Sequence, residues 1–173
     1  MPQDPTDDDK TQHYIEMWKQ TISVQQHFND ISWRIRGLAL TAMTFTLGTA
    51  AVTSRERTEV TLFSLSLKFP TLILFFGLIL WLAFYFVDKS WYHRLLIGSV
   101  KHGETLETEL RRMLPKAGLT HQISASSPSP LPEYFHNSWP YKQAIHSTGK
   151  LRIFYWMGVL ILVAFATGIQ LSS

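Results

Sequence analysis

Apolar residues in this chain fall into three uncharged blocks, and that segregation limits its folds more than any other feature. The blocks are residues 37–53 (GLALTAMTFTLGTAAVT), 69–87 (FPTLILFFGLILWLAFYFV) and 153–171 (IFYWMGVLILVAFATGIQL). A water-soluble core would scatter its apolar residues with helix or strand periodicity. A helix that crosses the hydrocarbon layer needs about 20 mostly apolar residues in a row. The second and third blocks meet that length, and the first is short and threonine-rich. In lipid every backbone polar group must be satisfied within the segment, which a helix does without closing a barrel. The expected fold class is therefore an all-α membrane protein with three transmembrane helices. The overall hydrophobic content of 46% hides this, because it is ordinary for a globular protein.

Basic residues near the ends of the spans predict their orientation. Lys10, Lys19, Arg34 and Arg36 precede the first block. Lys89, Arg94, Lys101, Arg111, Arg112, Lys116, Lys142, Lys150 and Arg152 lie between the second and third. The loop at residues 54–68 carries Arg55, Arg57 and Lys68. Three spans place the first two groups on one side, thirteen basic residues against three. The expectation is a multi-pass protein of the inner (plasma) membrane with a cytoplasmic N-terminus. The acidic start, with Asp7, Asp8 and Asp9, lacks the basic n-region of a cleaved signal peptide.

Spans one and two are expected to extend into long cytoplasmic amphipathic helices. In residues 1–36, Tyr14, Met17, Thr21, Val24, Phe28, Ile31 and Ile35 recur at alternating steps of three and four, a heptad-like seam. Met17, Val24, Phe28 and Ile31 are the candidate oligomerisation seam; packing within the same chain is the competing use. Residues 88–114 place Tyr92, Leu96, Ser99, Gly103, Leu106, Leu110 and Met113 on one helical face, and Gly98 and Gly103 are candidate close crossings. Pro115 and Gly118 end that element. Residues 115–152 read as an irregular, aromatic-rich strap around SASSPSPLP. In the outer loop, VTLFSLSLK carries a strand signal that would need a partner, perhaps between subunits, or else begins span two.

No catalytic signature is present. The absence of cysteine excludes disulfides, thiolate metal sites and cysteine nucleophiles. Asp88, His93, His102, Glu104 and Glu107 form the best ionisable cluster, but on one helix Asp88 and His102 stand about 21 Å apart. His121, His136 and His146 match no metal spacing. No enzyme activity, metal or cofactor is expected, and no nucleic-acid partner. Within span one, Ala42, Thr46, Thr49 and Thr53 form a stripe suited to close helix packing or, in an oligomer, to lining a pore. Ala164 and Gly168 give span three a second small-residue contact.

The helix entering span one through SWRIRGLALTAMTF and the run WLAFYFVDKSWYHRLLIGSVKHGETLE leaving span two resemble the SLATT-type membrane proteins of bacterial conflict systems. The resemblance covers residues 14–114. It implies an oligomeric, membrane-perturbing effector of antiviral defence, triggered by a cytoplasmic sensor or enzyme partner. The third span and the strap depart from the two-span pattern of that family. A non-conducting membrane anchor that docks a cytoplasmic partner is the alternative.

Overall fold

The computed structural model describes residues 6–55, 58–62, 65–130 and 144–172. The elements, in order, are α1 (Asp7–Thr53), β1 (Glu59–Leu62), β2 (Leu65–Lys68), α2 (Phe69–Val87), a π-helical turn (Asp88–Tyr92), α3 (His93–Met113), α4 (Leu119–Ser126), β3 (Ser129–Pro130), β4 (Ala144–Ile145) and α5 (Ser147–Leu171). Three helices are long and apolar enough to cross a membrane. This is the architecture of a helical membrane protein. The residues form two compact units, Met1–Ser32 with Trp91–Gly149 and Trp33–Ser90 with Lys150–Ser173.

The second unit contains the three apolar blocks. Ala39 and Ala50 of α1, Leu74 and Trp81 of α2, and Leu151, Tyr155 and Leu162 of α5 form its buried core. Small residues set how closely the helices approach. A side chain at Gly77 would collide with Thr46, and one at Gly158 would collide with the Trp81 indole. The expected contact through Ala164 and Gly168 is not made within the chain: both are exposed, and Gly168 faces open space. Phe45, Phe75, Phe76, Phe86, Leu160 and Phe165 also point outward. Such apolar exteriors are costly in water and ordinary in lipid.

The strand signal in the loop between the first two apolar blocks is real, and its partner lies in the same chain. β1 and β2 pair antiparallel, with Glu59 opposite Lys68 and Val60 opposite Leu67. Residues 65–68 therefore do not begin span two, and no second subunit is required to pair them. Helix α2 starts at Phe69 with Pro70 in its first turn, where the missing N–H costs nothing. Gln170, the one polar amide in the spans, ties this corner together. Its Oε1 accepts from the Lys68 N–H at 3.2 Å and from the Thr71 hydroxyl at 3.1 Å, and its Nε2 donates to Ser66 O at 3.2 Å. Lys68 Nζ donates to the carbonyls of Ile169 and Ser172, which the end of α5 leaves without helical partners.

In the first unit, Thr6 and Asp9 cap the start of α1 reciprocally, and Asp7, Asp8 and Asp9 meet the positive end of the helix dipole. Leu106 and Leu110 of α3 are buried, as its periodicity predicts, whereas Met113 is exposed. Gly103 is a close crossing: a Cβ there would lie 2.6 Å from Gln25 Nε2 and 3.1 Å from Thr120 Oγ1. Gly98 faces open space. Part of the expected irregular strap is ordered: α4 is helical, β3 pairs with β4, and α5 begins at Ser147, six residues before the apolar block. Tyr134, Phe135, Trp139 and Tyr141 of the strap lie outside the described residues.

Candidate functional site

Of the ionisable residues along 88–107, Asp88 and Glu107 are buried in two separate arrangements, His93 is buried, Glu104 is half-buried and His102 is exposed. The first, in the unit of the apolar helices, is centred on Asp88. Span two ends there, and the chain takes a wide π-helical turn through Tyr92. The Asp88 N–H reaches both Phe84 O and Tyr85 O. A π-turn rotates the side chains that follow relative to a regular α-helix, and such turns concentrate at functional positions. Asp88 is fully buried. Arg36 of α1 donates to it, Nε to Oδ2 at 2.8 Å and Nη2 to Oδ1 at 3.5 Å. The Tyr155 hydroxyl of α5 donates to Oδ2 at 3.2 Å.

An aromatic shell surrounds this node. Tyr155 packs at a tilt against Tyr85 and Trp81, with ring centroids 5.0 and 5.2 Å apart. Trp81 donates its indole N–H to Tyr155 O at 2.8 Å. Arg36 lies 5.6 Å from the centre of the Trp33 ring, and Lys89 lies 5.1 Å from that of Tyr85. The node joins all three apolar helices by one carboxylate. Removing one partner from a buried ion pair typically costs about 3–5 kcal/mol, although the intact pair adds little over an apolar packing.

The second arrangement lies in the other unit. Glu107, also buried, caps the start of α4. It accepts from the N–H groups of Thr120 at 2.6 Å and His121 at 3.0 Å, and from Trp18 Nε1 of α1 at 3.0 Å. Burial raises the pKa of Glu107. These donors outweigh that effect and hold it below the ordinary glutamate value. His93 bonds Thr148 through Nε2 at 3.1 Å. Lys101, Glu104, Thr105, Thr108, Arg111 and His121 line an open polar cleft of about 410 Å³. No group of three or more His, Asp or Glu residues among those described is placed to hold a metal ion.

The span-one stripe is divided. Ala42 and Thr46 are half-buried, with Thr46 against Gly77, whereas Thr49 is exposed. Thr49 and Thr53 border a shallow apolar groove with Thr44, Phe45, Gly48 and Val52. In the seam, Met17 and Val24 are exposed, and Phe28 and Ile31 are half-buried. Trp18, Thr21 and Gln25 face the rest of their unit instead, and Gln25 donates to Ser99 O at 3.0 Å.

Sequence reasoning missed the pairing of Arg36 with Asp88. The available signal was topological: with antiparallel spans, the residue before span one and the residue after span two stand at the same membrane face. Compared with known proteins, the chain matches no family model, no curated protein and no solved structure.

Proposed function

We propose that this chain is a homo-oligomeric effector of a bacterial inner membrane, held at rest by the Arg36–Asp88–Tyr155 node and released through its cytoplasmic helices. The observation that carries the reading is the fully buried Asp88, shared by a cation from α1 and a hydroxyl from α5. Ionisable groups at membrane depth are expensive and usually functional. Here the group sits where the apolar blocks meet the basic segments, so movement of either α1 or α3 strains it first. In this reading residues 6–36 and 88–152 are cytoplasmic, the basic residues on that side set the orientation, and a sensor or enzyme partner acts there. The likeness to SLATT-type proteins supports the same reading.

Leakage from vesicles tests it. Asp88→Asn and Arg36→Gln are expected to raise release of a small dye from vesicles several-fold over the unaltered protein. Unchanged, low release from both, with the helical content preserved, would overturn the lock.

A second reading, the non-conducting anchor, is favoured by one observation. The hydroxyls of Thr41, Thr44, Thr46 and Thr53 all bond carbonyls of their own helix, at 2.8–3.0 Å for the i−4 bonds, leaving little polarity to line an aqueous path. The polar cleft between α3 and α4 would then dock the partner. Dye retained by every variant, together with a stable complex formed through Arg111, would favour this reading.

A further inference from the structure

The polar cleft between α3 and α4 holds an arginine that is fixed in place yet makes no ion pair among the described residues. Both helices belong to one compact unit. Arg111 Nε donates to Ala117 O at 2.7 Å. Its guanidinium lies against Gly118, where a Cβ would come within 2.5 Å of Nη2 and 3.2 Å of Cζ. Any other residue at 118 would push the guanidinium aside. An exposed arginine ordinarily samples many rotamers, and ordering it on binding is costly. Here the Ala117 carbonyl and the bare Gly118 backbone remove that freedom in advance, and the Nη groups keep their donors. The next residue, Arg112, pairs with Glu109 at 3.0 Å, whereas Arg111 and Lys101 form no such pair among the described residues.

Glu107 places the other wall. Its carboxylate takes the N–H groups of Thr120 and His121, which fixes the first turn of α4, and the His121 side chain lines the cleft. Glu107 stands one turn before Arg111 on α3, so α4 presents His121 about 5 Å along the cleft from Arg111, by the helical rise. An imidazole offers an N–H in either protonation state. The hydroxyls of Thr105 and Thr108 donate to Lys101 O at 3.0 Å and Glu104 O at 2.9 Å, so only their lone pairs serve the cleft. The half-buried Glu104 adds a carboxylate with no ion pair among the described residues. Donors therefore gather at the Arg111 end, and acceptors follow toward Glu104.

We infer that this cleft binds a phosphate monoester of a small hydroxylated group. Arg111 and His121 hold the phosphate, and Glu104 accepts from a hydroxyl of the attached group. The guanidinium fork matches two phosphate oxygens. A planar carboxylate is satisfied by that fork alone, whereas a second donor from another helix suits the third oxygen of a tetrahedral anion. Glu104 repels a bare anion at its end, so the ligand carries a donor there. The volume, about 410 Å³, falls in the range of small-molecule sites. A soluble metabolite and a phosphorylated lipid headgroup share this chemistry. The inference does not rest on whether the chain conducts.

The probe is glycerol phosphate, titrated against the full chain in phosphatidylcholine nanodiscs and followed by broadening of its phosphorus NMR resonance. Binding should weaken several-fold in His121→Ala, whose exposed side chain is lost while its backbone N–H still meets Glu107. Arg111→Gln should weaken it likewise, and so should Gly118→Ala, which displaces the guanidinium with the charge kept. Arg112→Gln should leave it unchanged. Glu104→Gln should erase the advantage of glycerol phosphate over inorganic phosphate. Phosphatidic acid added to the nanodiscs separates the sources. Displacement of glycerol phosphate by phosphatidic acid, and not by phosphatidylglycerol, assigns the lipid headgroup; displacement by neither assigns the soluble ester. Equal losses in Arg111→Gln and Arg112→Gln would reduce the effect to general basic charge and overturn the site. Succinate competing as well as inorganic phosphate, or no binding of either glycerol phosphate or phosphatidic acid, would overturn it too.

Discussion

Asp88 and Glu107 are both buried carboxylates, yet their partners give them different roles. Asp88 meets a cation and a hydroxyl from two other helices, so its loss alters how those helices are held. Glu107 meets backbone N–H groups and an indole, so its loss alters whether α4 is docked. Replacing Glu107 by glutamine removes a charged acceptor from a buried site and is expected to cost about 1–3 kcal/mol. Acid mimics this change. The folded pKa of Glu107 lies below its unfolded value, so its contribution is complete above the ordinary carboxylate range and fades as pH falls through the lowered value. Protection of the Thr120 and His121 amides against hydrogen exchange should therefore fall as pH drops below the ordinary glutamate range, by more than global unfolding explains. Glu107→Gln should abolish that pH dependence; exchange rates that ignore both changes would refute the cap. Neither role was legible in the sequence. The residues were visible as a cluster along one helix, but the donors to Asp88 come from positions 52 and 67 residues away, and those to Glu107 from positions 13, 14 and 89 residues away.

At the scale of elements, helix period and apolar runs carried most of the information. The three blocks appear as helices, and the buried face of α3 follows the steps of three and four that its sequence shows. The heptad-like pattern in residues 14–35 combined residues from two faces. A sequence seam at steps of three and four does not say which side meets the chain itself. The two glycines of α3 give opposite expectations. Gly98 faces open space, so Gly98→Ala should raise stability by about 1 kcal/mol through helix propensity. Gly103 is pressed between Gln25 and Thr120, so Gly103→Ala should lower it, on the order of 1–3 kcal/mol for an overpacked site. Thermal unfolding in detergent reads both. Shifts of the same sign would contradict the packing of α1, α3 and α4. The helix α4 escaped detection because its eight residues contain three serines or threonines and no strong apolar period, and Glu107, not its own sequence, caps it.

For the whole molecule, three long apolar helices point to lipid as the solvent, and the proposed direction rests on the placement of the basic residues. Apolar blocks whose outward faces hold Phe45, Phe76 and Leu160 expose more contiguous apolar surface than soluble monomers ordinarily do. The proposed orientation predicts that the hairpin loop, residues 54–68, lies on the side with few basic residues and that residues 88–114 lie on the side with many. Cysteine accessibility tests that arrangement most directly, since every thiol introduced is the sole one present. In intact cells a membrane-impermeant maleimide should label Ser54→Cys at once and reach Gln12→Cys and Thr108→Cys only after the membrane is opened. Immediate labelling of Thr108→Cys while Gln12→Cys stays protected, or of all three alike, would contradict three spans with both cytoplasmic segments on one side.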